Sequence, residues 1–237
     1  NTGLITFDNT NASSSRSVTL TVTNGTLVND GTLHTMRSGA GGNQQINAQI
    51  QQTANGVIDV DHSADIRGFM QDFQLGSIDV AAGEILQLEA NGTGSTVTLG
   101  GPSTLPGDGS IRFSGTQVVN LAEPFDVAAT ETTLDLSIAT VTFTGADLTI
   151  GSGGSMILSA DHLNVEFTND GHLRVEQNTS TVNSAVFANS GMIDIIGNAT
   201  THATLIVENG FTSTGTIRFD NELASNTRNQ TLTVNNG

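Results

Sequence analysis

The chain has 237 residues, of which 7 are basic and 23 acidic, for a formal net charge of −16, and all seven basic residues are Arg. That balance excludes the basic footprint that nucleic-acid binding needs and disfavours an anionic membrane surface. The absence of Cys excludes disulfides and thiolate metal sites, and no apolar run approaches the roughly 18 residues of a membrane-spanning helix.

Only 13% of residues are charged, about half the usual share. Ser, Thr, Asn and Gln take their place, and with 27 Gly the composition points to strands and turns. The first predicted strand, Gly3–Asp8, introduces a phrase that recurs to the end of the chain. It consists of a polar residue, a spacer, Gly, a spacer, Ile or Leu, a spacer, and Val, Ile or Phe. The cleanest copies are Asn169–Val175, Asn189–Ile195 and Ser213–Phe219. Each places a turn before a strand with two inward apolar residues.

A polar loop, Asn9–Ser17, separates the first strand from Val18–Thr23. Asn24-Gly25 and then Thr26–Val28 follow. Asn-Gly and Asp-Gly pairs recur at Asn24, Asp30, Asn55, Asn91, Asp108, Asp170, Asn209 and Asn236, which predicts tight turns with positive φ. The phrase opens at Gly3, Gly31, Gly56, Gly76, Gly109, Gly171, Gly191 and Gly215, with spacings of 28, 25, 20, 33, 62, 20 and 24 residues. The 62-residue gap contains strand-like runs at Thr116–Leu121, Thr133–Ile138, Thr140–Phe143, Asp147–Ile150, Met156–Leu158 and Leu163–Phe167, and so is expected to hide two further units. The predicted fold is all-β: a right-handed parallel β-helix (β-solenoid) of about ten coils, each roughly 20–25 residues. A pair of small β-sandwich domains is the alternative.

Ile66, Phe69, Met70 and Phe73 have helical spacing within Ser63–Leu75. Gly68 and the flanking strand phrases favour an irregular strand there instead. Pro102 and Pro106 mark a loop, Gly100–Gly109, that lengthens its coil. Residues 1–25 recur without a gap at 213–237: Thr2–Asn9 matches Thr214–Asn221 in pattern, Arg16 matches Arg228, and Thr19–Val22 matches Thr231–Val234. The chain is expected to be a single solenoid segment, 1–237, cut from a longer protein with a tandem period of 212 residues. Two merely similar coils are the simpler reading. Neither end carries an obvious polar cap, so self-association end to end, or with neighbouring repeats, is expected.

The outward residues of the phrase, Arg174, Asp194 and Arg218, predict an alternating charge ladder. Asp59 and Asp79 are assigned to the same row, with Asp61 beside them. A Ca²⁺ ion bridging Asp59, Asp61 and Asp79 is one reading, and solvated carboxylates are the other. No catalytic, cofactor-binding or metal site is assigned. Asp59, Asp61, Asp65 and Asp72 form the one dense acidic group, with Arg67 near it; Trp and Tyr, which stack on sugars, are absent. The ten Phe, such as Phe7, Phe113 and Phe219, are expected in the core. Asn-x-Ser/Thr at Asn11, Asn24, Asn91, Asn178, Asn198 and Asn229 are potential glycan acceptors.

The phrase Asn-x-Gly-x-Ile-x-Val, interleaved with Thr-Leu-Thr-Val-x-Asn-Gly (Thr19–Gly25 and Thr231–Gly237), resembles the coils of bacterial surface β-helices. These are the filamentous-haemagglutinin-like and autotransporter-passenger proteins and giant repetitive cell-surface proteins. The resemblance covers most of the chain through a generic coil pattern. It implies an extracellular, non-enzymatic stalk, adhesin or filament component without direct membrane insertion, with surface glycans as possible partners. A carbohydrate-active or glycan-binding β-helix is the alternative: a lyase or hydrolase groove near Asp59–Asp79, or an adhesive tip at the Gly100–Gly109 loop.

Overall fold

The computed structural model describes residues 1–10, 17–37, 42–100, 105, 107–127, 133–197, 201–221 and 228–236. The chain winds into a parallel β-solenoid with three faces. The first face carries Leu4–Asp8, Thr32–Met36, Val57–Val60 and Ser77–Val80. Residues 105 and 107 follow, and then Phe125–Asp126, Leu148–Ile150, Phe167–Asn169, Phe187–Asn189 and Phe211–Ser213. Gly107 lies directly against the backbone of Val80, which makes the two sheets one face with a break. The second and third faces belong to one 16-stranded sheet. Strands such as Ser110–Leu121 and Thr133–Gly145 run through the corner between them without a break. All strand pairs are parallel, because each strand lies on its counterpart one coil earlier.

The second face stacks ten strands in succession, from Val18–Asn29 to Thr216–Asn221. About eight turns are closed by a neighbour on both sides, slightly fewer than the ten coils expected. The early spacings are coil lengths: Leu4 pairs with Thr32, Thr32 with Val57, and Val57 with Ser77. The 62-residue gap holds the two hidden coils, opening at Thr133 and Ser155. The 33-residue step from Gly76 to Gly109 has a different cause. Gly76 precedes a first-face strand, whereas Gly109 precedes the second-face strand Ser110–Leu121, so the step is one turn plus one face. Every later phrase, at Gly171, Gly191 and Gly215, stays on the second face.

The core is the column of inward residues. Leu33, Ile58 and Ile78 stack in register and are all buried. Phe167, Phe187 and Phe211 stack with ring centroids 5.0 Å apart at each step. Full burial of each such side chain contributes roughly 1.5–3 kcal/mol. Phe7 and Phe113 are buried as expected, but Phe219 is 51% exposed, with no coil above it among the described residues. Ser63–Leu75 forms two strands, Ala64–Gly68 and Met70–Phe73. Ile66 and Phe73 point inward and Phe69 and Met70 outward, so the helical spacing is incidental. Residues 11–16 of the Asn9–Ser17 loop, with Arg16, and residues 101–104 and 106 of the Gly100–Gly109 loop, with Pro102 and Pro106, lie outside the described residues.

The glycines of the phrase serve a purpose other than the one their neighbours suggest. Of the predicted Asn-Gly and Asp-Gly turns, only Gly25 and Gly92 have positive φ among the described residues. Gly31, Gly56, Gly109 and Gly171 instead lie where no Cβ fits, as do Gly191 and Gly215 of the same phrase. A Cβ on Gly31 would meet the Gly3 carbonyl oxygen at 2.2 Å, one on Gly191 that of Gly171 at 2.2 Å, and one on Gly215 that of Gly191 at 2.1 Å. Asn side chains run beside this glycine column. Asn169 donates to Asn189 Oδ1 at 2.7 Å, and Asn189 donates to Ser213 Oγ at 2.9 Å. Gln52 does the same work lower down, donating to the carbonyls of Gly56 and Ser77. These amides add bonds from coil to coil across the corner, and Gln52 shares the Gly56 carbonyl with the Ser77 amide.

Gly191→Ala is expected to lower the unfolding free energy by about 1–3 kcal/mol, the usual cost of overpacking. Gly3→Ala, which has open space around its Cβ position, is expected to stay within about 0.5 kcal/mol. Denaturant titration of the two variants checks the contrast.

Candidate functional site

Three features of the surface bear on function: charge ladders on the faces, a groove at one corner, and open strand edges at the two end coils. The predicted Arg174–Asp194–Arg218 ladder exists, since these residues are register partners on the second face. Its pairing is finer than expected. Arg218 holds Asp194 through Nε to Oδ1 and Nη2 to Oδ2, both at 2.8 Å. His172 Nε2 reaches Asp194 Oδ2 at 2.9 Å, and Arg174 pairs with Glu176 of its own strand. Burial acts against the Asp194 carboxylate, but the hydrogen bonds and charges of Arg218 and His172 outweigh it and hold its pKa below the usual carboxylate value. Arg112 and Asp135 make a similar cross-coil pair at 2.7 Å.

Asp59 and Asp79 do not belong to that row. They stack on the first face, because the phrase changes face between Gly76 and Gly109. His34 is the residue that sequence reasoning missed. It is the register partner of Asp59 in the preceding coil, with its Nε2 3.7 Å from Asp59 Oδ2 and 3.1 Å from Asp61 Oδ2. The 25-residue coil length, counted back from Asp59, was enough to find it. Desolvation raises the pKa of Asp59, His34 opposes that, and Asp61 and Asp79 add to it. One ligand atom from each of His34, Asp59 and Asp61 lies within 4.8 Å of the others. Ca²⁺ takes six to eight oxygen ligands. An imidazole and two carboxylates are a poor match for it, and His34 Nε2 already lies within hydrogen-bond reach of Asp61 Oδ2.

The acidic group considered for catalysis is dispersed by the corners. Asp59 and Asp61 lie at the first face, Asp65 on the second and Asp72 on the third. Arg67 is held by Glu89 at 2.6 Å and by Asp65 at 3.5 Å. Arg67 does line a groove of about 470 Å³ at the corner between the second and third faces, together with Thr21, Asn47, Phe69 and Asn91. Phe69 presents an exposed ring there.

One buried carboxylate stands apart. Asp161 sits at the corner between Ser155–Leu158 and His162–Asn164, fully buried. It accepts hydrogen bonds from the backbone amides of Val141 and Ser159, each at 2.8 Å. Desolvation dominates these bonds and pushes its pKa up to about 6.

The end coils leave inward residues uncovered. Ile217 and Leu232 are half-buried, and Phe219 and Val234 are exposed. In the preceding coil their register partners Ile193, Leu205, Ile195 and Val207 are all fully buried. At the opposite end, Ile5, Val18, Leu20 and Val22 are likewise only partly buried. Among the described residues, the strand edges of Leu4–Asp8 and Thr216–Asn221 are each paired on one side only. No family model matches the chain, and no curated protein or solved structure is significantly similar to it.

Asp161 and Asp194 predict opposite pH behaviour. With its folded pKa near 6 above an unfolded value of about 3.9, Asp161 makes the native state bind more protons between those values. Its contribution to stability therefore falls as pH rises through this window. Asp161→Asn is expected to remove a decline of roughly 1–3 kcal/mol between pH 4 and 7, read as the difference between variant and parent denaturation curves. Asp194 is depressed, so its stabilisation is present above the unfolded carboxylate pKa and lost as pH falls through the folded one. Asp194→Asn is expected to destabilise at pH 7, and the gap should close on acidification.

Proposed function

We propose that the chain is a structural segment of an extracellular fibre, stalk or adhesin, and that it works mechanically rather than as an enzyme. One observation carries this reading: the strand hydrogen bonds run parallel to the long axis, coil upon coil, from Leu4–Asp8 to Thr216–Asn221. Ten rungs at the spacing of paired strands give a rod of roughly 45 Å, and rods of this kind lengthen by adding coils. The polar, Thr- and Asn-rich faces with net charge −16 suit a surface that stays hydrated while the ends associate. Imaging of the native material from its source is expected to show long fibres of uniform width. Compact single particles of 24.5 kDa would sink this reading.

A second reading is glycan binding at the corner groove, favoured by the exposed Phe69 ring beside Arg67 and Asn47. It expects saturable binding of an acidic polysaccharide that weakens at least tenfold in Phe69→Ala. Measured turnover of such a polysaccharide, with or without Ca²⁺, would overturn the non-enzymatic assignment.

A further inference from the structure

Residues 1–25 and 213–237 share one sequence pattern, yet they occupy different places on the rod. Leu4–Asp8 lies on the first face, whereas its equivalent Thr216–Asn221 lies on the second. Likewise the strand at residues 18–22 lies on the second face, and its equivalent Gln230–Val234 on the third. The corner hardware moves with them. At the start, Asn1 donates to Asn29 at 3.0 Å at the corner leading onto the first face. Near the end, Asn169, Asn189 and Ser213 make the same chain of bonds at the corner leading onto the second. Counted along the first face, nine turns separate Leu4–Asp8 from Phe211–Ser213, and Thr216–Asn221 is one face further on. The 212-residue period is thus nine turns and a third.

The first coil also shows what the last one lacks. Phe7 is covered by the strand Thr32–Met36 and is 3% exposed; Phe219, its equivalent in the repeat, is 51% exposed. Ile5 faces Leu33, and Leu20 faces Ile46, both fully buried. Their equivalents Ile217 and Leu232 have no coil above them among the described residues. A coil with the sequence of residues 26–52 would therefore meet on Ile217, Phe219 and Leu232 the same inward set that it already covers on Ile5, Phe7 and Leu20.

We propose that the open face formed by Thr216–Asn221 and Gln230–Val234 is an interface for a further copy of this unit. That copy enters through its own 26–52 coil, rotated by one face, so that the solenoid passes through the junction without a break. Successive units then turn by a third around the rod, and three units restore the starting face. This inference rests on the reading of the chain as a repetitive structural segment and names the partner of its open end.

The test is a fusion in which residues 1–237 are followed directly by a second copy of residues 26–237, compared with the single chain by hydrogen exchange and cryo-electron microscopy. Amides of 230–234 and 216–221 are expected to gain at least a hundredfold protection, to the level of 4–8. The Asn and Gly corner of the second copy should appear a third of a turn from that of the first. A control fusion that starts the second copy at residue 32 omits the last part of the strand Val18–Asn29 and the corner after it, and it should lose the added protection. The proposal is overturned if the junction stays unprotected, if the control protects equally, if the two corners align, or if the fusion fails to fold while the single chain does. Fibres absent from the native material would remove the structural reading without touching a protected junction, so the two failures can be told apart.

Discussion

The spacing between coils is the constraint on which the rest of the molecule depends. Parallel strands hydrogen-bond at about 4.8 Å, so every backbone segment must approach its predecessor to that distance, corners included. At the corners where Gly31, Gly191 and Gly215 stack on Gly3, Gly171 and Gly191, no side chain can be admitted. Glycine is required there by contact rather than by conformation. The neighbouring Asn amides then link one coil to the next, Asn169 reaching both the Asn189 side chain and the Met192 carbonyl. The recurring phrase joins this corner requirement to a strand with two inward residues.

Because coils stack in register, the chemistry of the faces is set by position in the pile. Asp194 tolerates burial because Arg218 of the next coil and His172 of the previous one both reach it. Asp59 has His34 below and Asp79 above. Oppositely charged residues one coil apart fix the register more strongly than they add to stability, since each exposed pair contributes only about 0–1 kcal/mol. A one-residue slip would turn each inward residue outward and break every such pair at once.

The sequence revealed the coil lengths because Gly3, Gly31, Gly56 and Gly76 each stand one residue before a register partner, and the last three admit no Cβ. It did not reveal that the phrase changes face. The 33-residue step to Gly109 was the trace of that change, but a long coil and a coil with an extra face have the same length. Asp59 and Asp79 were put in the row of Asp194 for this reason. The burial of Asp161 was hidden too, because a carboxylate at a corner looks like any solvated turn residue until the amides of Val141 and Ser159 close on it. Phe219 fits the core pattern, and its exposure follows from what lies above it rather than from its own strand.

All strands on a face run in one direction, which makes the rod polar. Its two directions are chemically distinguishable, the edge turned the way of Leu4–Asp8 differing from the edge turned the way of Thr216–Asn221. Two copies brought together by a twofold axis would set like edges against each other with their strands antiparallel, out of step with every pairing inside the molecule. A contact that continues the internal pairing is head-to-tail. It satisfies one edge and offers an identical one beyond it, and such contacts do not close. Any assembly made this way has a direction, can add units at two distinguishable ends, and has no length written into its interface.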